Sequence, residues 1–275
     1  MGYIAEPGLE AFLPPIESEK WTTEIVVSVH YWTSTLISFR TTRSCGFRFT
    51  PGQYARLGLA GAEGIDVWRP ISVVSAANDE ALEFLVVLIP GGAFSEALGR
   101  LKTGDTIKVE KRSFGFLSVD QLAAGRDLWL LASGSGLGPF VSIMRDENVW
   151  RAFERLIIVH SVRQASELAY REEICALAAS RKLAIDAAQL TYLPVVTRDA
   201  AATTLTSRVT ELLSTGRLEK AAGTKLNVMT SRLMICGNPG MARKLRQLLS
   251  TRGFASSRRN APGQMAFENY WQDHD

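Results

Sequence analysis

Residues 128–144 read LWLLASGSGLGPFVSIM. Leu128 to Ser133 is an apolar strand pattern, and from Pro139 the spacing turns helical. Between them Gly134, Gly136 and Gly138 alternate with Ser135 and Leu137. A glycine turn that follows a strand and opens a helix is the context of a dinucleotide-type loop. Backbone N–H groups and the positive end of the helix both favour an anion there. The spacing is Gly-x-Gly-x-x-Pro rather than Gly-x-Gly-x-x-Gly, and a plain tight strand–helix turn is the alternative reading of the loop alone.

Downstream, the same rhythm continues. LIIVHSV, TYLPVVT and LMICG are apolar runs separated by helical stretches such as SELAYREEICALAAS and ARKLRQLLSTRG. Strands apolar on both faces that alternate with helices predict a parallel, doubly wound sheet over 125–275. No acid ends the strand LIIVHSVR; Ser161 and Arg163 stand there instead. An acid would bind a ribose diol, whereas an arginine suits an added 2′-phosphate.

Upstream, the pattern is different. TEIVVSVHYW, LISFRTT, FRFTPGQYARLGL, ISVVSA, LEFLVVLI and DTIKVEKR read as strands between Gly, Pro and Asn-Asp turns. With one short helix, FSEALGRL, they predict a small antiparallel β-barrel over 21–120. Residues 1–20 read as an acidic, proline-interrupted extension without the features of a signal peptide.

Composition narrows the function classes. The 275 residues are 46% hydrophobic and 21% charged, as in a globular protein. No apolar run approaches the roughly 18 residues of a membrane span. Three cysteines and three histidines are scattered, so neither a disulfide framework nor a protein-ligated metal is expected. A net charge of +3 is too small to argue for nucleic acid. The expected compartment is the cytoplasm.

A second constellation lies in the barrel. WRPISVVS places Arg69 and Ser72 on one strand, and PGGAFSEAL sets Gly91 and Gly92 before a helix with Ser95 near its start. An arginine, two glycines and a helix start are suitable parts for a pyrophosphate cradle. Taken alone, they equally describe an exposed arginine and an ordinary helix cap.

Together, a barrel with Arg-x-x-Ser and a parallel sheet opened by Gly-x-Gly-x-x-Pro resemble the ferredoxin/flavodoxin–NADP reductase family. FTPGQYARLGL, MICGNPGM and the tail RRNAPGQMAFENYW extend the resemblance from about Trp21 to Trp271, in the compact bacterial, FAD-containing form. The resemblance implies FAD on the barrel and NADPH on the second domain. It implies Arg69 on the FAD pyrophosphate, Ser72 beside the flavin ring, Pro70, Ile71 and Leu85 as further cofactor-binding residues, and Gly92, Phe94 and Ser95 along the phosphates. Gly134, Ser135, Gly136 and Pro139 would meet the dinucleotide, and Cys236 would lie at the nicotinamide pocket. As catalytic groups it implies Ser72 and Cys236. Arg163, Arg198 and Arg208 match the adenosine 2′-phosphate contacts, and Tyr270 and Trp271 match an aromatic ending near the FAD adenine. Where the family has Arg-x-Tyr-Ser this chain has Ile71, and QDHD follows Trp271.

The implied activity is exchange of electrons between NADPH and an acidic ferredoxin or flavodoxin by a monomeric enzyme, without nucleic acid or membrane. Lys111, Arg112, Arg243, Lys244, Arg246, Arg258 and Arg259 are candidates for a basic docking rim. Glu268 could assist proton traffic from the tail, with a solvated terminal acid as the preferred reading. Two alternatives stay open: an NADPH-dependent reductase of free flavin or ferric siderophores, and a non-catalytic flavin-binding sensor.

Overall fold

The computed structural model describes residues 18–61, 64–183 and 188–269. Two sheets follow one another along the chain. The first has six strands: β1 (Trp21–Tyr31), β2 (Leu36–Thr41), β3 (Tyr54–Ala60), β4 (Asp66–Ser72), β5 (Leu82–Val87) and β6 (Thr106–Phe114). They run antiparallel in the order β4-β3-β6-β1-β2-β5. The sheet curls until Val73, just past β4, bridges Phe84 of β5. Phe94, Ala97 and Leu98 of the short helix α1 (Ala93–Leu98) join Phe39, Leu57 and Phe84 in the core that results. Two-residue alternation produces this arrangement, because every second side chain of a curled sheet points inward.

Two expected strands shift. The strand expected over 71–76 ends at Ser72 and begins at Asp66. Pairing with β3, from Ala60↔Asp66 to Tyr54↔Ser72, extends it back through Asp66, Arg69 and Pro70. The second edge of β4 has no neighbour in the sheet, so a proline costs no ladder bond on that side. FRFT takes no regular secondary structure, lying between turns at 45–46 and 51–52, with Phe47 and Phe49 still buried in the barrel core.

The second sheet is parallel: β7 (Asp127–Ser133), β8 (Arg155–Val162), β9 (Gln189–Val196), β10 (Ser231–Gly237) and β11 (Met265–Asn269), in the order β11-β10-β7-β8-β9. Its central strand faces two cores. Leu128, Leu130 and Ala132 pack with Phe140, Val141 and Met144 of α2 (Gly138–Met144), Val149 of α3 (Glu147–Ala152) and Ile174 of α4 (Arg171–Leu183). Trp129 and Leu131 pack with Leu212 and Leu213 of α5 (Val209–Ser214), Leu218 of α6 (Arg217–Ala222), and Leu245 and Leu249 of α7 (Pro239–Thr251). Helices on both faces explain the unbroken apolar runs. The tail supplies β11, which the sequence did not announce as a strand.

The chain passes from β7 to β8 and β9 on one side, then returns to β10 on the other. Such a reversal opens a crevice at the carboxyl ends of the strands. Barrel residues Leu36, Val74, Leu85 and Leu117 belong to the same core as Leu128 and Phe140, so the two sheets are packed across an apolar seam.

Candidate functional site

A cavity of about 800 Å³ opens along this seam. The barrel wall consists of Arg69, Pro70, Ile71 and Ser72 of β4, Leu85 of β5, and Gly92, Phe94 and Ser95 at the start of α1. The opposite wall holds Ser133, Gly134 and Ser135, then Arg163, Arg198 and Arg208 from the loops after β8 and β9 and the start of α5. Thirteen of the residues that the sequence singled out therefore share one cavity, although they span 69–208 in the chain.

The remaining candidates fall elsewhere. Gly136, Pro139 and Cys236 are buried behind the wall, and the cavity is lined by Gly237 and Asn238 next to Cys236. Tyr270, Trp271 and the QDHD extension lie outside the described residues, as does residues 1–17 of the expected extension.

The glycine turn is held by backbone proximity. A Cβ on Gly136 would lie 2.6 Å from the carbonyl carbon and oxygen of Cys236. Gly237 has φ +120, a conformation open mainly to glycine, and a Cβ there would meet Ser133 Oγ at 2.3 Å. With no side chain at either position, the turns after β7 and β10 touch. Asn238 N donates to Ser133 Oγ at 2.8 Å and fixes the contact. Behind the turn, buried His160 places Nε2 3.3 Å from the Gly134 carbonyl and Nδ1 3.3 Å from Tyr192 Oη. Burial pushes this imidazole down to about 4, with the Gly134 contact opposing the shift, so it is neutral around pH 7.

On the barrel wall, Ile89 N donates to Ser95 Oγ at 2.9 Å, which ties the Gly91-Gly92 loop to α1. Arg69 is exposed, and its Nη1 donates to the Trp68 carbonyl at 2.8 Å. Ile71 stands half-buried between the cavity and the barrel core, where an apolar face is offered in place of an aromatic ring.

Charge is the most selective feature of the cavity. Arg69, Arg163, Arg198, Arg208 and Lys244 line it, against one carboxylate, Glu167. Among the described residues none of these five cations forms an ion pair. Glu167 Oε2 already accepts the Arg163 and Gln164 amides, each at 2.8 Å. The donor set therefore fits a ligand with several phosphates.

Lys244 had been grouped with the docking rim. The structure places it in the cavity with Met241, one helical turn earlier on α7. The signal in the sequence was the three-residue spacing after CGNPG, which sets both side chains on one helix face. The other six candidate rim cations are exposed.

Glu268 is also corrected. It lies in β11 opposite Cys236 and is half-buried beside Tyr54 and Gly115 of the barrel. Burial pushes its carboxyl up to about 7, opposed by the backbone of Phe116 and Leu117. Oε2 is buried without a hydrogen-bond partner among the described residues. An acid so placed is half protonated near neutrality, unlike a solvated one.

Among the described residues no helix is long and apolar enough to cross a membrane, and no group of three or more His, Cys, Asp or Glu is placed to hold a metal ion.

Comparison with known proteins agrees with the two walls. Residues 28–113 match the oxidoreductase FAD-binding domain family, and residues 130–247 match the oxidoreductase NAD-binding domain family. A ferredoxin–NADP reductase A of Sorangium cellulosum is 39% identical over 251 residues, 90% of this chain and 89% of that one. A flavodoxin/ferredoxin–NADP reductase of Escherichia coli is 36% identical, over 91% of this chain and 99% of its own. The crystal structure of a ferredoxin NADP+ reductase from Neisseria gonorrhoeae with bound FAD and NADP superposes with a TM-score of 0.85. It is 36% identical and is matched over 92% of this chain and 100% of its own.

Proposed function

The chain belongs to the ferredoxin/flavodoxin–NADP reductase family, and from that premise we propose that the seam cavity holds FAD against the barrel wall and NADPH against the parallel-sheet wall. The enzyme is an FAD-dependent oxidoreductase that exchanges electrons between NADPH and a ferredoxin or flavodoxin. The observation that carries the reading is the charge of the cavity: five cations and one carboxylate, drawn from both walls.

Bound FAD supplies the chemistry that joins a two-electron hydride donor to a one-electron carrier. The protein supplies binding and orientation. Arg69 would neutralise the FAD pyrophosphate, and the Gly92 loop, held by Ser95, would lie along it. Ser72 and Ile71, which line the barrel wall, would stand against the flavin ring, and Leu85 would close the apolar side. Ser135 and the backbone of the glycine turn receive the second dinucleotide. Arg163, Arg198 and Arg208 read its 2′-phosphate, and Lys244 adds a fourth positive charge to that wall. Cys236 would contribute from behind the wall, where its backbone packs against Gly136 of the glycine turn. Glu268, about half protonated at neutral pH, would place an exchangeable proton close to the barrel loop. Residues 21–120 and 125–275 are read as the two functional units. The carrier is read as acidic, docking on the exposed cations Lys111, Arg112, Arg243, Arg246, Arg258 and Arg259, which would speed encounter more than deepen affinity.

Replacing Arg198 or Arg208 by alanine tests the reading. Each removes a charge-assisted phosphate contact of about 1.5 to 3 kcal/mol, so kcat/KM for NADPH should fall about 10- to 100-fold. Turnover with NADH should barely change. Equal losses with both nucleotides would show that these side chains do not read the 2′-phosphate.

A further inference from the structure

Away from the cavity, one charged cluster crosses the seam. Glu83 of β5 is on the barrel side, and both of its carboxylate oxygens accept from the other sheet's elements. Tyr170 Oη donates to Oε1 at 2.8 Å, and Arg145 Nη1 donates to Oε2 at 2.8 Å. The same Nη1 donates to the Val74 carbonyl at 3.1 Å. Arg145 closes a bidentate pair with Glu173 of α4, at 2.9 and 3.0 Å. One turn earlier on α2, buried Ser142 Oγ donates to the Ser75 carbonyl at 2.6 Å. The Tyr170 ring packs on Trp32, past β1 of the barrel, at 5.1 Å. Tyr170 adopts φ +57, a backbone region that bulky residues rarely enter. Such strain persists only where surrounding contacts determine it.

The position of the cluster gives it meaning. Arg145 is the C-cap of α2, the helix that the glycine turn opens. At the other end of α2, a Cβ on Gly138 would lie 3.3 Å from Val74 Cγ2, 3.8 Å from Leu85 Cβ and 3.9 Å from Ser72 Cβ. So α2 lies lengthwise on the barrel wall, with its start against Ser72 and Leu85 and its end pinned to Glu83. Glu83 and Leu85 are alternate residues of β5, so one strand face carries both the pin and the cavity wall.

We propose that Glu83, Arg145 and Tyr170 are positioning residues that seat α2 on the barrel and thereby fix the separation between the glycine turn and the flavin-facing wall. The proposal rests on the assignment of the two walls to FAD and NADPH. Its consequence is specific: loosening the seat changes how donor and acceptor meet, not how tightly either is held. Removing the Tyr170 hydroxyl leaves Glu83 Oε1 without its donor while the ring keeps its place on Trp32. Changing Glu83 to glutamine removes the charge that Arg145 faces across the seam.

The experiment compares FAD-loaded wild type with Tyr170→Phe and Glu83→Gln. Three quantities are read: the first-order rate of flavin reduction at saturating NADPH, the Kd of adenosine 2′,5′-bisphosphate by calorimetry, and amide hydrogen exchange over 139–145. A misplacement of the order of 1 Å at reacting atoms is costly, so the reduction rate should fall about 10-fold or more. The Kd should stay within about two-fold, because the 2′-phosphate wall is untouched. Exchange over 139–145 should accelerate as the end of α2 loosens. A lower melting temperature with an unchanged reduction rate and unchanged exchange would reduce the cluster to ordinary stabilisation and overturn the proposal. If Glu83→Gln does not fold, Tyr170→Phe decides alone. Failure of wild type to bind adenosine 2′,5′-bisphosphate would sink the nucleotide assignment instead, while exchange over 139–145 still decides whether α2 is seated by this cluster.

Discussion

Glu268 and Ile71 are the residues whose surroundings differ most from what their types suggest. Glu268 holds its proton up to about pH 7 in the native protein, whereas an unfolded glutamate releases it near pH ~4.3. Between those values the native state binds more protons than the unfolded one, so stability falls as pH rises through the window. Above the native value the loss is complete and constant. Glu268→Gln cannot ionise and should remove this slope. Relative to wild type it should gain on the order of 2 to 3 kcal/mol between pH ~4.5 and ~8. Urea unfolding at both pH values measures the difference; an equal offset at both would mean that the carboxyl is solvated after all. At Ile71 the chain offers the cavity an aliphatic face where the resemblance implied tyrosine. The residue is half-buried against the barrel core, so its apolar contact is already committed.

The elements that build the cavity are turns more than strands. The turn after β7 was legible because three glycines between an apolar strand and a helix have few other uses. Its partner after β10 was not, since nothing in CGNPG states that Gly237 must sit against Ser133. Gly136→Ala probes the contact between them. The added methyl would stand 2.6 Å from the Cys236 carbonyl, which belongs to backbone and cannot swing aside. Overpacking of this kind costs about 1 to 3 kcal/mol. The turn should also shift, so KM for NADPH should rise along with the loss of thermal stability. Unchanged melting and KM would mean that the two turns separate freely. β11 escaped notice for a related reason. MAFEN is short, follows a proline and a glycine, and becomes a strand only because β10 presents an open edge for parallel pairing.

At the scale of the molecule, the two sheets share one core. Leu85 is 4% exposed and touches both the cavity and the cluster containing Leu128 and Phe140. Truncating a buried leucine costs about 2 to 5 kcal/mol, the amount depending on how far the site collapses. Leu85→Ala should lower the stability of barrel and parallel sheet together, seen as one cooperative transition at reduced urea. Tryptophan fluorescence and far-UV circular dichroism should report the same midpoint. Two separated transitions would show that the seam does not couple the sheets. The seam also holds α2 between Ser72 at one end and Glu83 at the other, so packing and function depend on the same surface.

Local pattern alone gave the two fold classes and their order along the chain, and with the family resemblance it gave thirteen of the residues that line the cavity. Alternation of two in the first part and apolar runs between helices in the second are local patterns imposed by backbone geometry. Arg163, Arg198 and Arg208 were legible as cations of the cavity because each follows a strand or opens a helix, where side chains of a doubly wound sheet converge. Only tertiary structure decided which charges face inward: it took Lys244 from the rim into the cavity, and Glu268 from solvent into a half-buried site. It extended β4 back through Pro70 by pairing with β3, and set Cys236 behind the wall rather than in it. The physical reason is common to these cases. Burial, pairing partners and pKa shifts depend on residues far apart in the chain, and no local pattern records the neighbour that folding brings.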